Sequence, residues 1–239
     1  MKVTKFFNEL YRPAHHQVIK SLPAFIHNNL WVVGFWLGSY LLTQTMNQMA
    51  TLAPNQGPNI ILILSVVLVE LIVSYFIYLF APLRFKQLLQ SSALTPLGQI
   101  NKMHAKDLIS EQLRVASGIV IGLVLGIVPG IVRMLKWAFV PFIVTTHPDY
   151  QKGEVDALKY SEQLTLGLVV SIAIFWTVLT LFDLLFYYLE QSNFLGDADL
   201  SIWAWQGVVS LISFVVQLYA VLLTFVLYEN VRSGEGALK

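Results

Sequence analysis

Gly118, Gly122, Gly126 and Gly130 recur every four residues within SGIVIGLVLGIVPGIVRMLKWAFVPFIV. Residues four apart share one helix face. Four glycines on one face cut a groove into which another backbone can approach closely, which is how helices associate in lipid. The stretch is apolar enough to lie in a bilayer, yet Pro129-Gly130 falls near its middle and Arg133 and Lys136 follow. A helix that only faces lipid has no use for such features. The segment therefore predicts a broken, tightly packed helix at the centre of a bundle, a glycine zipper whose neighbouring cations are neutralised by protein.

Composition sets the surroundings. Of 239 residues, 56% are hydrophobic and only 12% are charged, against about 25% charged in an ordinary soluble domain. Mean hydropathy is +0.65. A crossing takes about 20 apolar residues, so one membrane domain is expected and no soluble one. The net charge of +1 supplies no clustered basic face for nucleic acid. Cysteine is absent, which excludes disulfides, thiolate catalysis and thiolate-bound metals. Lys2, Lys5, Arg12 and Lys20 precede an apolar run that is too long for a cleavable signal peptide and reads as an uncleaved anchor.

The hydropathy pattern predicts an all-α, polytopic transmembrane helix bundle. Residues 1–24 form a cytoplasmic or interfacial segment, in which Phe6, Phe7, Leu10 and Tyr11 could make one face of a short helix ending before Pro13. About six membrane segments follow, at 25–46, 60–81, 115–129, 131–145, 166–190 and 202–228, then a short tail at 231–239. Within 82–114, Leu83–Leu89 and His104–Leu113 look amphipathic and suit the membrane surface. The first span carries its own pair, Gly34 and Gly38, the matching surface for the glycine groove.

Orientation follows from basic residues, which collect in cytoplasmic loops. The N-terminus and the 82–114 stretch hold nine Lys/Arg, whereas the loops 47–59 and 190–201 hold none. A single crossing by 115–145 would put the acidic loop at 190–201 inside and the basic tail outside. A hairpin broken at Pro129-Gly130 places every basic segment in the cytoplasm, with both termini there. The pattern leaves open whether that hairpin is re-entrant or two tilted spans.

Four charges fall inside apolar runs: Glu70, Arg133, Lys136 and Asp183. An ionisable residue within a span is a functional hypothesis by default. Judged by depth, Arg133 should pair with Asp183, and Lys136 with Glu70, either as register-fixing ion pairs or as an ion pathway. His15, His16, His27, His104 and His147 show no metal-ligand spacing. No nucleophile motif or phosphate-binding glycine loop is present. The sequence offers no catalytic residue, no metal site and no cofactor.

One stretch has a wider likeness. IVPGIVRMLKWAFVPFIVTTHPDYQKGEVDALKYSEQLTLG resembles the signature of the YciC-type bacterial inner-membrane proteins: an apolar run ending in Pro-Gly, a basic and aromatic segment, a proline, a short polar turn, then Ala-Leu-x-x-Ser-x-x-Leu-Thr-x-Gly. The matching positions are Pro129, Gly130, Arg133, Pro141, Ala157, Leu158, Ser161, Leu164, Thr165 and Gly167. His147–Gly153 departs from the usual form. The likeness covers about residues 127–167, and it implies a multi-helix bundle in the cell inner membrane and no particular activity.

Two classes of function fit these features. One is a non-enzymatic envelope protein that packs with, or supports, a membrane partner or a second copy of itself. The other is a small transporter or lipid-handling protein with its site at the broken helix around Pro129-Gly130. An enzyme would need a polar cluster at one interface that the sequence does not show.

Overall fold

The computed structural model describes residues 3–31, 34–35, 37–39, 41–42, 77–90, 96–191 and 199–234. Glu70 and most of the expected second span lie outside the described residues, as does the loop at 47–59. The described residues are all-α. Among them, four helical stretches are long and apolar enough to cross a membrane: Lys102–Leu125, Ile127–Thr146, Val169–Phe186 and Trp205–Gly234.

The N-terminal segment is not a short surface helix. Val3–Lys5, the π-helical turn Phe6–Tyr11 and Arg12–Asn28 follow one another without a break and together form helix α1. A proline ring strikes the carbonyl four residues back in a regular α-helix. Here the wider turn before Pro13, in which the Arg12 amide donates to the Phe7 carbonyl, gives that ring room. Phe6, Ala14, Val18 and Phe25 are buried. Tyr11 meets Phe175 edge-on at 6.1 Å, and the His15 ring hydrogen-bonds the Tyr219 hydroxyl. The outward face keeps Lys5, Glu9, Arg12, His16 and Lys20 exposed. This is an amphipathic helix closing one side of the core.

The expected start of the first span at Phe25 is therefore also corrected. Phe25 belongs to α1, which stops at Asn28, and the chain turns at Asn29 and Leu30. Asn29 secures the turn: its amide donates to the Phe25 carbonyl at 2.8 Å, and its oxygen accepts from Trp31 Nε1 at 3.1 Å. Helix α2 covers residues 77–89 and docks through Phe85 on Phe25, ring centroids 5.8 Å apart.

Helix α3, Leu97–Leu125, runs unbroken for 29 residues. The expected surface helix at His104–Leu113 and the expected span from Val115 are one rod. Its polar half buries Ile100, His104 and Leu108 on one face, and its apolar half carries the glycine ladder. Gly126 then breaks the helix with φ 149° and ψ 151°, a conformation open essentially only to glycine. Helix α4, Ile127–Lys136, starts at the next residue. The break is thus at Gly126 and not at Pro129-Gly130. Pro129 sits in the first turn of α4, where backbone N–H groups have no intrahelical partner and the missing donor costs nothing. Gly130 is helical and buried.

The groove of the ladder is filled by this returning limb. A Cβ at Gly122 would lie 2.9 Å from Gly130 Cα, and one at Gly118 would lie 2.5 Å from the Trp137 ring. At Gly130 a Cβ would come within 2.5 Å of the Leu123 side chain. Among the described residues nothing lies within 4 Å of a Cβ at Gly34 or Gly38, so that pair does not supply the matching surface.

A three-residue turn at 137–139 leads to helix α5, Val140–Thr146, in which every residue is buried. Its five apolar residues leave no polar face, and the Thr145 and Thr146 hydroxyls are spent on carbonyls one turn back, so the helix suits a core. Phe142 lies 5.9 Å from Phe225 and 6.1 Å from Tyr228, ring to ring. Short helix α6, Pro148–Gln151, and helix α7, Ala157–Thr165, follow. Gly167, at φ 81°, turns the chain into helix α8, Val169–Gln191, three residues later than hydropathy alone suggests. Helix α9, Asp199–Gly234, carries the last span and absorbs residues 231–234 of the expected tail.

Gly122 and Gly130 are the positions least able to accept a side chain, because a Cβ at either would lie 2.9 Å from backbone of the other limb. Gly122→Ala should cost about 1–3 kcal/mol, the range for overpacking. Gly34→Ala should be neutral or slightly stabilising, since alanine is the better helix former. Thermal unfolding of the two variants in detergent checks this, and equal midpoints would contradict the packing described here.

Candidate functional site

The polar chemistry near the membrane-spanning helices gathers where α4 ends. The turn at 137–139 frees backbone groups that α4 and α5 cannot satisfy. Ser161 and Thr165, one turn apart on α7, take them up. Ser161 Oγ donates to the Lys136 carbonyl at 2.7 Å, and Thr165 Oγ1 reaches the same carbonyl at 3.1 Å. The Phe139 amide donates to Ser161 Oγ at 3.3 Å and has no other acceptor among the described residues. Both hydroxyl residues are fully buried, so this latch replaces hydrogen bonds that water would otherwise make.

Helix α7 is positioned by its own start. Asp156 is its N-cap, accepting from the Leu158 and Lys159 amides at 3.0 and 3.1 Å. The same carboxylate takes Arg114 from α3 at 2.8 Å. Burial raises the Asp156 carboxyl, but the Lys159 amide, the Arg114 guanidinium and the Leu158 amide together carry it below the usual carboxylate range. Glu111, one turn before Arg114, accepts from the Tyr150 hydroxyl at 3.4 Å. Burial first, then the charges of Glu111 and Asp107, push that hydroxyl up to about 12, so it stays a donor. Trp137 Nε1 donates to Glu162 at 3.0 Å. These contacts form a belt in which α3, the turn at 137–139, α6 and α7 meet.

A second polar group closes the far end of α5. Lys86 lies 3.6 Å from Glu229 and 3.5 Å from the Thr146 carbonyl, a cation at a helix C-terminus, where the dipole favours it. Arg232 pairs with Glu229 at 2.9 Å.

The four intramembrane charges are placed as follows. Arg133 donates to the Gly118 carbonyl at 2.8 Å, with its guanidinium carbon 6.0 Å from the centre of the Trp137 ring. Lys136 is half-buried, and its side chain has no partner among the described residues. Asp183 lies on α8, but its side chain, like the whole of Glu70, is outside the described residues. The partner the structure gives Arg133 is thus a backbone carbonyl left open by a glycine. A carbonyl acceptor carries no sequence signal, so charge counting alone could not find it.

At the hairpin, α3 and α4 meet directly at Gly122 and Gly130. A cavity lies elsewhere, between α2, the 137–146 region, α8 and α9. It measures about 220 Å³, and its lining includes Tyr78, Ala138, Phe142, Trp176, Gln217 and Thr224. Trp176 Nε1 is buried there with no acceptor among the described residues. The hydroxyls of Thr180 and Thr224 are already engaged, donating to carbonyls one turn back on their own helices. No local spacing in the sequence marks this cavity, which arises only where four elements meet.

Comparison of the chain with family models, with curated proteins and with solved structures gives no match.

Two outcomes follow from this geometry. Ser161→Ala leaves the Phe139 amide unpaired and weakens the hold on the Lys136 carbonyl, a loss of about 1–3 kcal/mol. Thr165→Val leaves Ser161 in place and should cost less, as read by thermal unfolding of both variants. Asp156→Asn keeps a capping side chain and deletes the charge opposite Arg114, an exposed pair worth about 0.2–1 kcal/mol. A depressed carboxyl contributes stability that is complete above its unfolded value near 3.9 and is lost as pH falls through the folded value. The difference between wild type and Asp156→Asn should therefore be present at pH 7 and vanish in acid. A difference that grows in acid would contradict the depressed carboxyl.

Proposed function

We propose that the chain is a non-enzymatic, multi-pass protein of the bacterial inner membrane that packs with or supports a partner membrane complex. The reading rests on the apolar half of α3. Its glycine face is sealed by α4, while Val120 and Ile121 on its other faces are exposed. An apolar rod stiffened from behind by close backbone contact gives a neighbouring helix a ready surface. The resemblance to YciC-type proteins agrees with the membrane assignment and adds no activity.

The cavity favours a second reading, a lipid-handling protein. Its wall is largely apolar, and the Trp176 indole N–H has no acceptor among the described residues, which suits an acyl chain bearing an ester or carboxyl acceptor. The site of this reading lies beside Ala138 and Trp176, away from the Pro129-Gly130 region.

One experiment separates the two. The tagged full chain is purified in a mild detergent beside an Ile121→Asn variant, and co-purifying proteins and lipids are identified by mass spectrometry. The first reading expects a stoichiometric membrane protein with wild type, depleted several-fold by Ile121→Asn at unchanged thermal stability. A stoichiometric lipid with both forms and no protein supports the second reading. A monomer carrying neither would sink both.

A further inference from the structure

We infer that the α3–α4 hairpin is re-entrant: its tip stops inside the bilayer, and both limbs leave through the face by which they entered. The occupant of the tip surface, at Val124, Leu125, Ile127 and Val128, is the acyl-chain region of one leaflet.

The tip comes first. From Ile119 to Val132 no side chain is polar. Val124, Leu125, Ile127 and Val128 are 70–82% exposed, so the most exposed large apolar side chains of the hairpin gather at its tip. A turn lying at the far interface would present polar residues to water and headgroups. This one has none.

Depth agrees. Arg114 stands twelve residues before Gly126, about 18 Å along a helix. Lys136 stands ten residues after it, about 15 Å. The hydrocarbon core is about 30 Å thick, so both limbs reach charge about halfway. Arg114 meets Asp156, Tyr150 meets Glu111 and Trp137 meets Glu162 at the base. Tyrosine and tryptophan among charges are the usual composition of a membrane–water boundary. Arg133 starts nearer the tip, but its guanidinium reaches the Gly118 carbonyl, beside Trp137 and toward that base. Driving the tip to the far interface would draw the whole belt into hydrocarbon.

The backbone is built for such a place. Free amides and carbonyls are costly in lipid, and the break is a single residue. The Gly126 amide donates back to Gly122 and Leu123. Pro129 removes one donor from the first turn of α4, the turn that would otherwise expose it.

The natural absence of cysteine makes the test direct. Val124→Cys and Ile127→Cys mark the tip, and Lys106→Cys, on the exposed polar half of α3, marks the base. Each single-cysteine chain is probed with a membrane-impermeant maleimide from either face of sealed vesicles, and again after denaturation to show that the thiol is intact. A fluorophore on Val124→Cys is then quenched by lipids bearing a nitroxide near the headgroup or deep in the chain. The expected result is labelling of Lys106→Cys from one face and of the tip from neither, with the deep nitroxide quenching several-fold more strongly. Labelling of a tip cysteine from the face opposite Lys106→Cys shows a full crossing and overturns the proposal. Tip labelling from the same face, or stronger shallow quenching, places the hairpin outside the hydrocarbon and also overturns it.

Discussion

The close approach of Gly122 to Gly130 is the contact on which the rest of the hairpin depends. With a Cβ at Gly122 only 2.9 Å from a neighbouring backbone atom, the two limbs meet with no room for a side chain between them. That nearness places Trp137 over Gly118 and carries Arg133 to the Gly118 carbonyl. In lipid no hydrophobic force drives helices together. The limbs are held by van der Waals contact and by this one charged hydrogen bond. Any side chain in the groove would push the limbs apart, and Arg133 would lose the acceptor that lets it lie so near hydrocarbon.

The hairpin is anchored to the core by a second constraint of a different kind. The turn at 137–139 redirects the chain so that α5 enters the core, and redirection leaves the Lys136 carbonyl and the Phe139 amide without helical partners. Buried backbone groups must be paired. Ser161 and Thr165 pair them, and Asp156 in turn fixes the helix that carries both hydroxyls. Arg114 on α3 binds that same Asp156. The first limb and the latch of the second limb thus share one carboxylate, and the position of the hairpin is set from both sides at its base.

How much of this could be read in the residues depends on the kind of force involved. The glycine spacing and the apolar runs carry the helical class, the tight packing and the presence of a break, because each is a local rule written in residue type. The position of the break misleads because Pro129-Gly130 is the strongest helix-breaking pair by composition. Proline in a first turn breaks nothing, and the φ of 149° falls on Gly126 instead. The N-terminal helix misleads for a like reason, since the π turn lets Pro13 sit inside it. The Ser161–Thr165 pair is visible as two hydroxyls one turn apart, but its target is a carbonyl exposed by a turn elsewhere in the chain. Arg133 is the sharpest case. Counting charges seeks a carboxylate for it, while among the described residues it meets a glycine carbonyl and an indole ring.

The same reasoning assigns separate tasks to residues that composition alone would group together. Gly118 gives space to a ring, Gly122 to a backbone, and Gly126 supplies a dihedral angle that other residues avoid. Only the first two need a small residue for packing, and only the third needs glycine for its conformation. Pro129 contributes by lacking a donor where none is wanted. Four residues of one motif therefore answer to three physical demands: contact, chain reversal, and economy of backbone hydrogen bonds in a medium that offers none. The demands converge because an apolar hairpin tip must reverse within a single residue. A longer turn would expose amides and carbonyls that lipid cannot satisfy, and that cost ties the glycine groove to the sharpness of the break.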